Sequence, residues 1–369
     1  MRGTIDYLKI SNYRSIDVLE LHDIKPFSVF AGPNGSGKSN FFDALDFVNW
    51  VIRFGVDEAL KKHGGFENIR CLRRCSDAAR VFEFESVFKF EDDTKKTETL
   101  TYHFEISQLD TSPTLDEYIQ KGHNGKKWTA NDVFKDNEEC RQAKAEFLRR
   151  GKSFLPIMFS GLRVHLFNNF RLYRIDPVKA KLPVKNYDDS ELSLKGRNLA
   201  AVLNRLEKND DIRGTILEWM EFIIPGFEKV HTETERLSGS TLLAFKEKGI
   251  EKLFPAHLMS DGTIYLLSLL IIMLDRLSLG MTLIEEPERG LHPKTVMRLV
   301  DAFREKASFE HPIWLTTHNE TLAKCLKNNE LWLVGKKQGK TEMKSVQIAD
   351  KLASSGNTWL TDVLSGEPI

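Results

Sequence analysis

Residues 32–39 read GPNGSGKS, and Gly, Lys and Ser at this spacing can wrap a chain of phosphates. Gly32, Gly35 and Gly37 let the backbone curl so that its N–H groups, that of Ser36 among them, face a triphosphate and stabilise its charge. Lys38 then reaches the β- and γ-phosphates and Ser39 offers a hydroxyl to magnesium. A second set lies far downstream. Residues 281–286, MTLIEE, form an apolar run that ends in paired carboxylates. Beside a phosphate loop, one such acid serves the magnesium and the next polarises the attacking water. This order assigns Glu285 to the metal, directly or through water, and Glu286 to the water. The same acids in isolation would simply cap a strand in solvent. Glu288 follows in the loop PERGLHP.

Two shorter signals flank the acids. Ser260, Asp261 and Gly262 open the most apolar stretch of the chain, and a small hydroxyl with a glycine at a helix start either binds an anion or merely caps the helix. His318 ends the run WLTTH about thirty residues after the acids, where an imidazole can reach a γ-phosphate. A lone His at a strand end is otherwise an ordinary core residue.

These residues need elements to hold them. TIDYLKI over 4–10 alternates as a strand does, FSVFA over 27–31 is an apolar strand leading into the loop, and a helix is expected from Lys38 to about Ile52. Residues 81–106 alternate twice around a polar connector, predicting an antiparallel hairpin. Residues 114–150 are polar and charged and predict a solvated helical excursion. A helical pattern runs over 199–224 and stops at Pro225–Gly226. Leu331–Val334 predicts a strand, with a polar hairpin after it.

With the motifs in place, the chain resembles the ABC-type ATPase heads of the SMC, RecF and OLD group. The likeness rests on KISNYRSI (9–16), GKSNFFDAL, SDGT, IEEPERGLHP and TTHNETLA, and it spans most of the sequence. Within the group it is nearest the OLD-like, RecF-related ATPases of bacterial phage-defence and toxin-like systems. The resemblance implies an α/β fold: an ABC-type head with a mixed central sheet, an antiparallel β layer and an inserted helical lobe. It places the ATPase core in residues 1–110 and 256–369 and the lobe in 111–255. It implies ATP and magnesium as cofactors, and homodimers or higher homo-oligomers in which Ser260, Asp261 and Gly262 complete the partner's site. Glu286 becomes the catalytic carboxylate and His318 the residue that senses the γ-phosphate. Asn34 and Asn40 join the ATP contacts, and Arg14 either approaches nucleotide or is a surface Arg. Two features depart from the pattern. Glu285 stands where ABC heads usually carry Asp, and no Gln occurs between Val81 and Ile106.

Composition narrows the functions. The chain has 369 residues, 53 Lys+Arg against 53 Asp+Glu, 41% hydrophobic positions and four cysteines, which suits a folded chain and excludes a polycation, a disulfide scaffold, collagen-like repeats and intrinsic disorder. The cysteines show no zinc-ligand spacing. The apolar run 264–274 falls short of the roughly 20 residues that span a bilayer, and the opening lacks a signal-peptide pattern, so a cytoplasmic protein without a membrane segment is expected. Ser39 and Ser260 are 221 positions apart, too few for a long coiled-coil arm, and 51 residues after His318 leave no room for a Toprim nuclease domain. The expected function is therefore an ATPase that dimerises on ATP and controls a separately encoded nuclease or toxin in anti-phage defence. Alternatives are a RecF-like DNA clamp and a slow nucleotide-gated switch. The clamp has one local support. Residues 163–185 carry six Lys/Arg against one acid, Asp176, with aromatics interleaved. The same aromatic spacing also suits an amphipathic helix packed on the core.

Overall fold

The structure is a computed structural model and describes residues 3–73, 80–91, 97–108, 113–122, 124–133, 151–155, 170–185, 188–235, 238–275 and 280–346. The chain divides into two compact units: Met1–Arg171, Gly280–Leu283 and Ala307–Ile369 form the first, Leu172–Leu279 and Ile284–Lys306 the second.

The first unit contains strands β1 (Gly3–Tyr13), β2 (Ile16–Ile24), β3 (Phe27–Ala31), β4 (Val81–Glu91), β5 (Thr97–Ser107), β6 (Thr114–Lys121) and β7 (Lys127–Trp128). All of these except β3 make one antiparallel sheet in the order β2-β1-β4-β5-β6-β7. Period two decides its two faces. Leu8, Ile10, Phe82, Phe84, Phe104 and Ile106 are buried on one side. Register puts Lys9 opposite Glu85, Glu83 opposite Glu105, and Glu85 opposite His103, so these polar groups share the other side.

Strand β3 leaves its sequence neighbours and pairs in parallel with β13 (Ile313–Thr317) and β14 (Leu331–Lys337), and β14 turns back into β15 (Lys340–Val346). Strands β12 (Thr282–Glu285) and β8 (Arg171–Tyr173) extend this sheet to the order β15-β14-β3-β13-β12-β8. Every residue of β3 and β13 is buried, as expected of parallel strands covered on both faces. Helix α1 (Lys38–Phe54) joins the two sheets. Its Phe41 lies 4.8 Å from Phe30 of β3, while Phe47 meets Phe82 of β4 edge-on at 5.0 Å. Helix α2 (Val56–His63) follows and aims His63 Nδ1 at the Tyr13 hydroxyl, 3.1 Å away.

The second unit holds helices α3 (Leu199–Leu206), α4 (Asp210–Ile223), α5 (Asp261–Leu274) and α6 (Pro293–Lys306), with a small antiparallel sheet of β9 (Phe227–Thr234), β10 (Thr241–Glu247) and β11 (Phe254–Pro255). Helix α5 is buried nearly all round and carries the apolar run. No helix among the described residues is long and apolar enough to cross a membrane.

Several expectations change. Residues 114–121 and 127–128 are strand, not solvated helix. Of β6 only Ile119 is buried, so the sequence pattern had little to display. The edge of β5 recruits the segment through backbone hydrogen bonds, which are blind to charge. Residues 134–150 lie outside the described residues. The segment 199–224 is two helices, because the Asn209 side chain caps α4 by accepting from the N–H groups of Asp211 and Ile212. Strand β2 is an addition to the expected elements. In the basic window, Phe170 and Tyr173 are buried as expected and Leu172 is buried as well, but residues 171–173 are strand and not amphipathic helix. Arg163 and Phe167 lie outside the described residues. Cys71 and Cys325 are free thiols.

Candidate functional site

The phosphate-type loop lies between β3 and α1 and is fitted too tightly for side chains at two glycines. A Cβ on Gly32 would stand 2.1 Å from the Val334 carbonyl oxygen, and one on Gly37 2.0 Å from Thr341 Oγ1. Gly37 also takes φ 111°, a region that L side chains rarely enter, as the N-cap of α1. No side chain caps this end of the helix, so its N–H groups face the loop. Lys38 is buried and its Nζ donates to the carbonyls of Gly32 (2.7 Å) and Pro33 (2.9 Å). Ser39, Asn34 and Gly35 are exposed.

A polar clip fixes the loop from outside. Thr341 of β15 donates to the Ser36 carbonyl at 3.1 Å and lies 2.7 Å from Ser15 Oγ, which accepts from Asn40 Nδ2 at 2.6 Å. Arg14, in the turn before Ser15 at φ 49°, binds the Asp43 carboxylate on α1. Asn40 and Arg14 thus spend their side chains on holding the loop's surroundings. The Gly32 N–H donates to the Thr317 carbonyl at 3.1 Å, which puts exposed His318 one residue from the loop's backbone partner. One buried polar atom in the loop, Ser36 Oγ, has no hydrogen-bond partner among the described residues. A buried hydroxyl with no partner, uncapped helix N–H groups and a buried ammonium are together a donor set suited to an anionic phosphate chain.

The second unit carries the acids and the Ser-Asp-Gly motif. Glu285 ends β12 and receives two parallel bonds from Arg174, Nε to Oε2 at 2.9 Å and Nη2 to Oε1 at 2.8 Å. This two-point pair occupies the carboxylate assigned to metal, so ligation there requires Arg174 to exchange. Glu286 takes φ 48°, rare for a side chain of its size. Its carbonyl accepts from the Tyr265 hydroxyl at 2.9 Å and from the Arg289 N–H at 3.1 Å, and the Glu285 carbonyl also accepts from Tyr265, at 3.2 Å. Burial, with Glu288 nearby, pushes the Tyr265 phenol well above its usual range, so it remains a donor.

Ser260 caps α5, its Oγ accepting from the Thr263 N–H at 3.1 Å. Asp261 pairs with Lys181 at 2.5 Å. A Cβ on Gly262 would meet the Gly290 carbonyl oxygen at 2.5 Å, so only glycine lets the helix start approach the loop after the acids. Asp261, Gly262, Tyr265, Glu285, Glu286 and Arg289 line one cavity of about 670 Å³ within this unit. Glu288 is buried. Ser15, Thr341, Tyr265 and the Arg174–Glu285 pair belong to the site without any sequence motif to mark them. Ser15 and Thr341 are 326 positions apart and nothing local marks them, whereas Tyr265 was hidden inside an apolar run.

Residues 27–323 match the family described as "AAA domain, putative AbiEii toxin, Type IV TA system". The chain belongs to this family. A 62-residue stretch is 37% identical to the DNA replication and repair protein RecF of Corynebacterium jeikeium (strain K411), covering 16% of this chain and 15% of that protein. Among solved structures, the SMC head bound to the C-winged helix domain of ScpA matches at TM-score 0.59 and 16% identity, over 94% of this chain and 99% of that one. The SMC head domain with a coiled coil and joint derived from Pyrococcus yayanosii matches at TM-score 0.53 and 12% identity, covering 98% and 99%. At such identities these likenesses establish the fold alone. It is that of an ABC-type ATPase head, with mixed and antiparallel sheets as expected.

Proposed function

We propose that this AbiEii-type AAA chain binds ATP with magnesium, dimerises on it, and uses hydrolysis to control a separately encoded nuclease or toxin in anti-phage defence. The observation that carries the nucleotide reading is the phosphate loop itself: tight glycines, a buried Lys38 and an unpartnered Ser36 hydroxyl before an uncapped helix. Lys38 would leave the Gly32 and Pro33 carbonyls for the phosphates, and Ser39 with Glu285 would hold magnesium once Arg174 has exchanged. Magnesium held there would supply neutralisation of the charge on the phosphate oxygens. Glu286 would orient and deprotonate the attacking water, and Tyr265 fixes its backbone. His318 would sense the γ-phosphate. Ser260, Asp261 and Gly262 would act on the partner's nucleotide. In this reading residues 1–110 and 256–369 handle ATP, β6 and β7 add to the antiparallel sheet of the first unit, and the rest of 111–255 forms the lobe that engages the effector. The family description, which names a toxin system, supports an effector role.

The test uses purified protein. Lys38→Ala should abolish nucleotide binding, and Glu286→Gln should bind ATP, fail to turn it over and elute as a dimer. If wild type and Glu286→Gln are equally inactive, the hydrolytic assignment fails and the slow switch is left.

The RecF match favours a second reading, a DNA clamp. Its basic window is already partly spent, since Arg174 pairs with Glu285, Lys179 with Asp176 and Lys181 with Asp261. For a clamp, DNA affinity should fall steeply with salt, and replacing Arg171, Arg174 and Lys179 should flatten that slope.

A further inference from the structure

The polar face of the antiparallel sheet in the first unit carries a group of side chains that the nucleotide chemistry does not use. Glu83 on β4 and His103 and Glu105 on β5 place one ligand atom each within 4.8 Å of one another. Glu83 and Glu105 are directly opposed across the two strands, and His103 is the next residue on that face of β5. His103 Nε2 lies 3.5 Å from Glu83 Oε1 and 3.7 Å from Glu105 Oε1. These separations are long for hydrogen bonds. They are close to the edge of a tetrahedron, about 3.4 Å, when nitrogen and oxygen ligands stand about 2.0–2.2 Å from a central metal.

The imidazole is largely out of water. Its side chain is only 12% exposed, and its other nitrogen, Nδ1, is buried with no hydrogen-bond partner among the described residues. A polar ring this far from water normally has its nitrogens satisfied. The ring is held by stacking: Tyr118 on β6 lies parallel to it with centroids 4.7 Å apart, and the Tyr118 hydroxyl donates to Glu85 at 3.4 Å. Lys127 Nζ sits 3.9 Å over the far ring. The sheet therefore orients Nε2 toward two carboxylates without giving it a hydrogen bond to either.

We propose that Glu83, His103 and Glu105 bind a divalent first-row transition metal, of the zinc or manganese class, as a clip across β4 and β5. One imidazole and two carboxylates are a mixed nitrogen and oxygen set that such ions prefer to magnesium or calcium. A water molecule completes the coordination. One neighbour opposes the ion. Lys9 Nζ lies 2.6 Å from Glu83 Oε1 and competes for that oxygen. Its long side chain can swing toward solvent when metal arrives.

That competition gives the test a sign that a purely structural cluster would not produce. The 369-residue chain, stripped with chelator and free of nucleotide, is titrated with Zn2+ and separately with Mn2+ by calorimetry, and melting is followed with and without Zn2+. One bound equivalent and a metal-dependent rise in Tm are expected. His103→Gln and Glu105→Gln should each weaken binding at least about tenfold, because a ligand is lost from a small set. Lys9→Met should tighten it several-fold, because the competing cation is gone. Failure to bind a stoichiometric ion, an affinity untouched by His103→Gln, or weaker binding in Lys9→Met would each overturn the proposal. Lys9→Met keeps the answer clear even if a change at His103 disturbs folding.

Discussion

At the scale of single residues, Glu286 and Thr341 show how chemistry and backbone are traded. A non-glycine residue at φ 48° costs about 1 kcal/mol or more, and three hydrogen bonds from Tyr265 and Arg289 to the carbonyls at 285 and 286 hold it there. Glu286→Asn, whose short side chain tolerates this region, should raise thermal stability by up to about 1 kcal/mol while ATP turnover is lost. A melting curve and a phosphate-release assay on the same sample check both parts, and retained turnover would remove Glu286 from the water-activating role. Thr341→Val keeps the shape but removes the hydroxyl that binds Ser36 and Ser15. It should cost about 1–2 kcal/mol in denaturant unfolding and weaken nucleotide binding, although Thr341 is not among the expected ATP contacts. The loop motif was legible because its residue types are dictated by local geometry. Its clip was not, since Ser15 and Thr341 meet only when the chain is folded.

At the scale of elements, the antiparallel sheet was readable where a face is buried and unreadable at its edge. VFEFESVFKF and LTYHFEI alternate because one side of β4 and β5 packs in the core, whereas on β6 Ile119 is the one fully buried residue and Glu117 is partly buried, so the segment reads as polar helix. Yet β6 also contributes the most unusual carboxylate of the unit. Burial pushes Glu117 up to about 7, against the opposing pull of bonds from the Phe154 N–H, Ser153 and Tyr102. An acid raised in the folded state binds its proton there while the unfolded chain has released it. Its contribution is therefore full below about 4.5 and is lost as pH rises to about 7. Glu117→Gln should flatten the stability profile across that window, with little change between about pH 7.5 and 8.5. Chemical denaturation at stepped pH measures it, and an unchanged slope would mean that Glu117 is ionised in the native protein.

At the scale of the whole molecule, the equal numbers of acids and bases conceal local pairing. Arg174, Lys179 and Lys181, which make residues 163–185 look basic, each face an acid in the second unit. These pairs leave less unpaired positive charge for a duplex to meet. Assembly should therefore depend on nucleotide more than on salt: light scattering with ATP should show Glu286→Gln dimers that survive moderate salt, and Ser260→Tyr should bind ATP yet remain monomeric. Loss of ATP binding in Ser260→Tyr would place the motif in its own chain's site instead. Thr341 adds a constraint on time. The Ser36 carbonyl waits for a partner 305 positions later, so the phosphate loop cannot reach its finished shape while the polypeptide is still short of that residue on the ribosome. A nascent chain is thereby kept from a mature grip on nucleotide until residue 341 has been made.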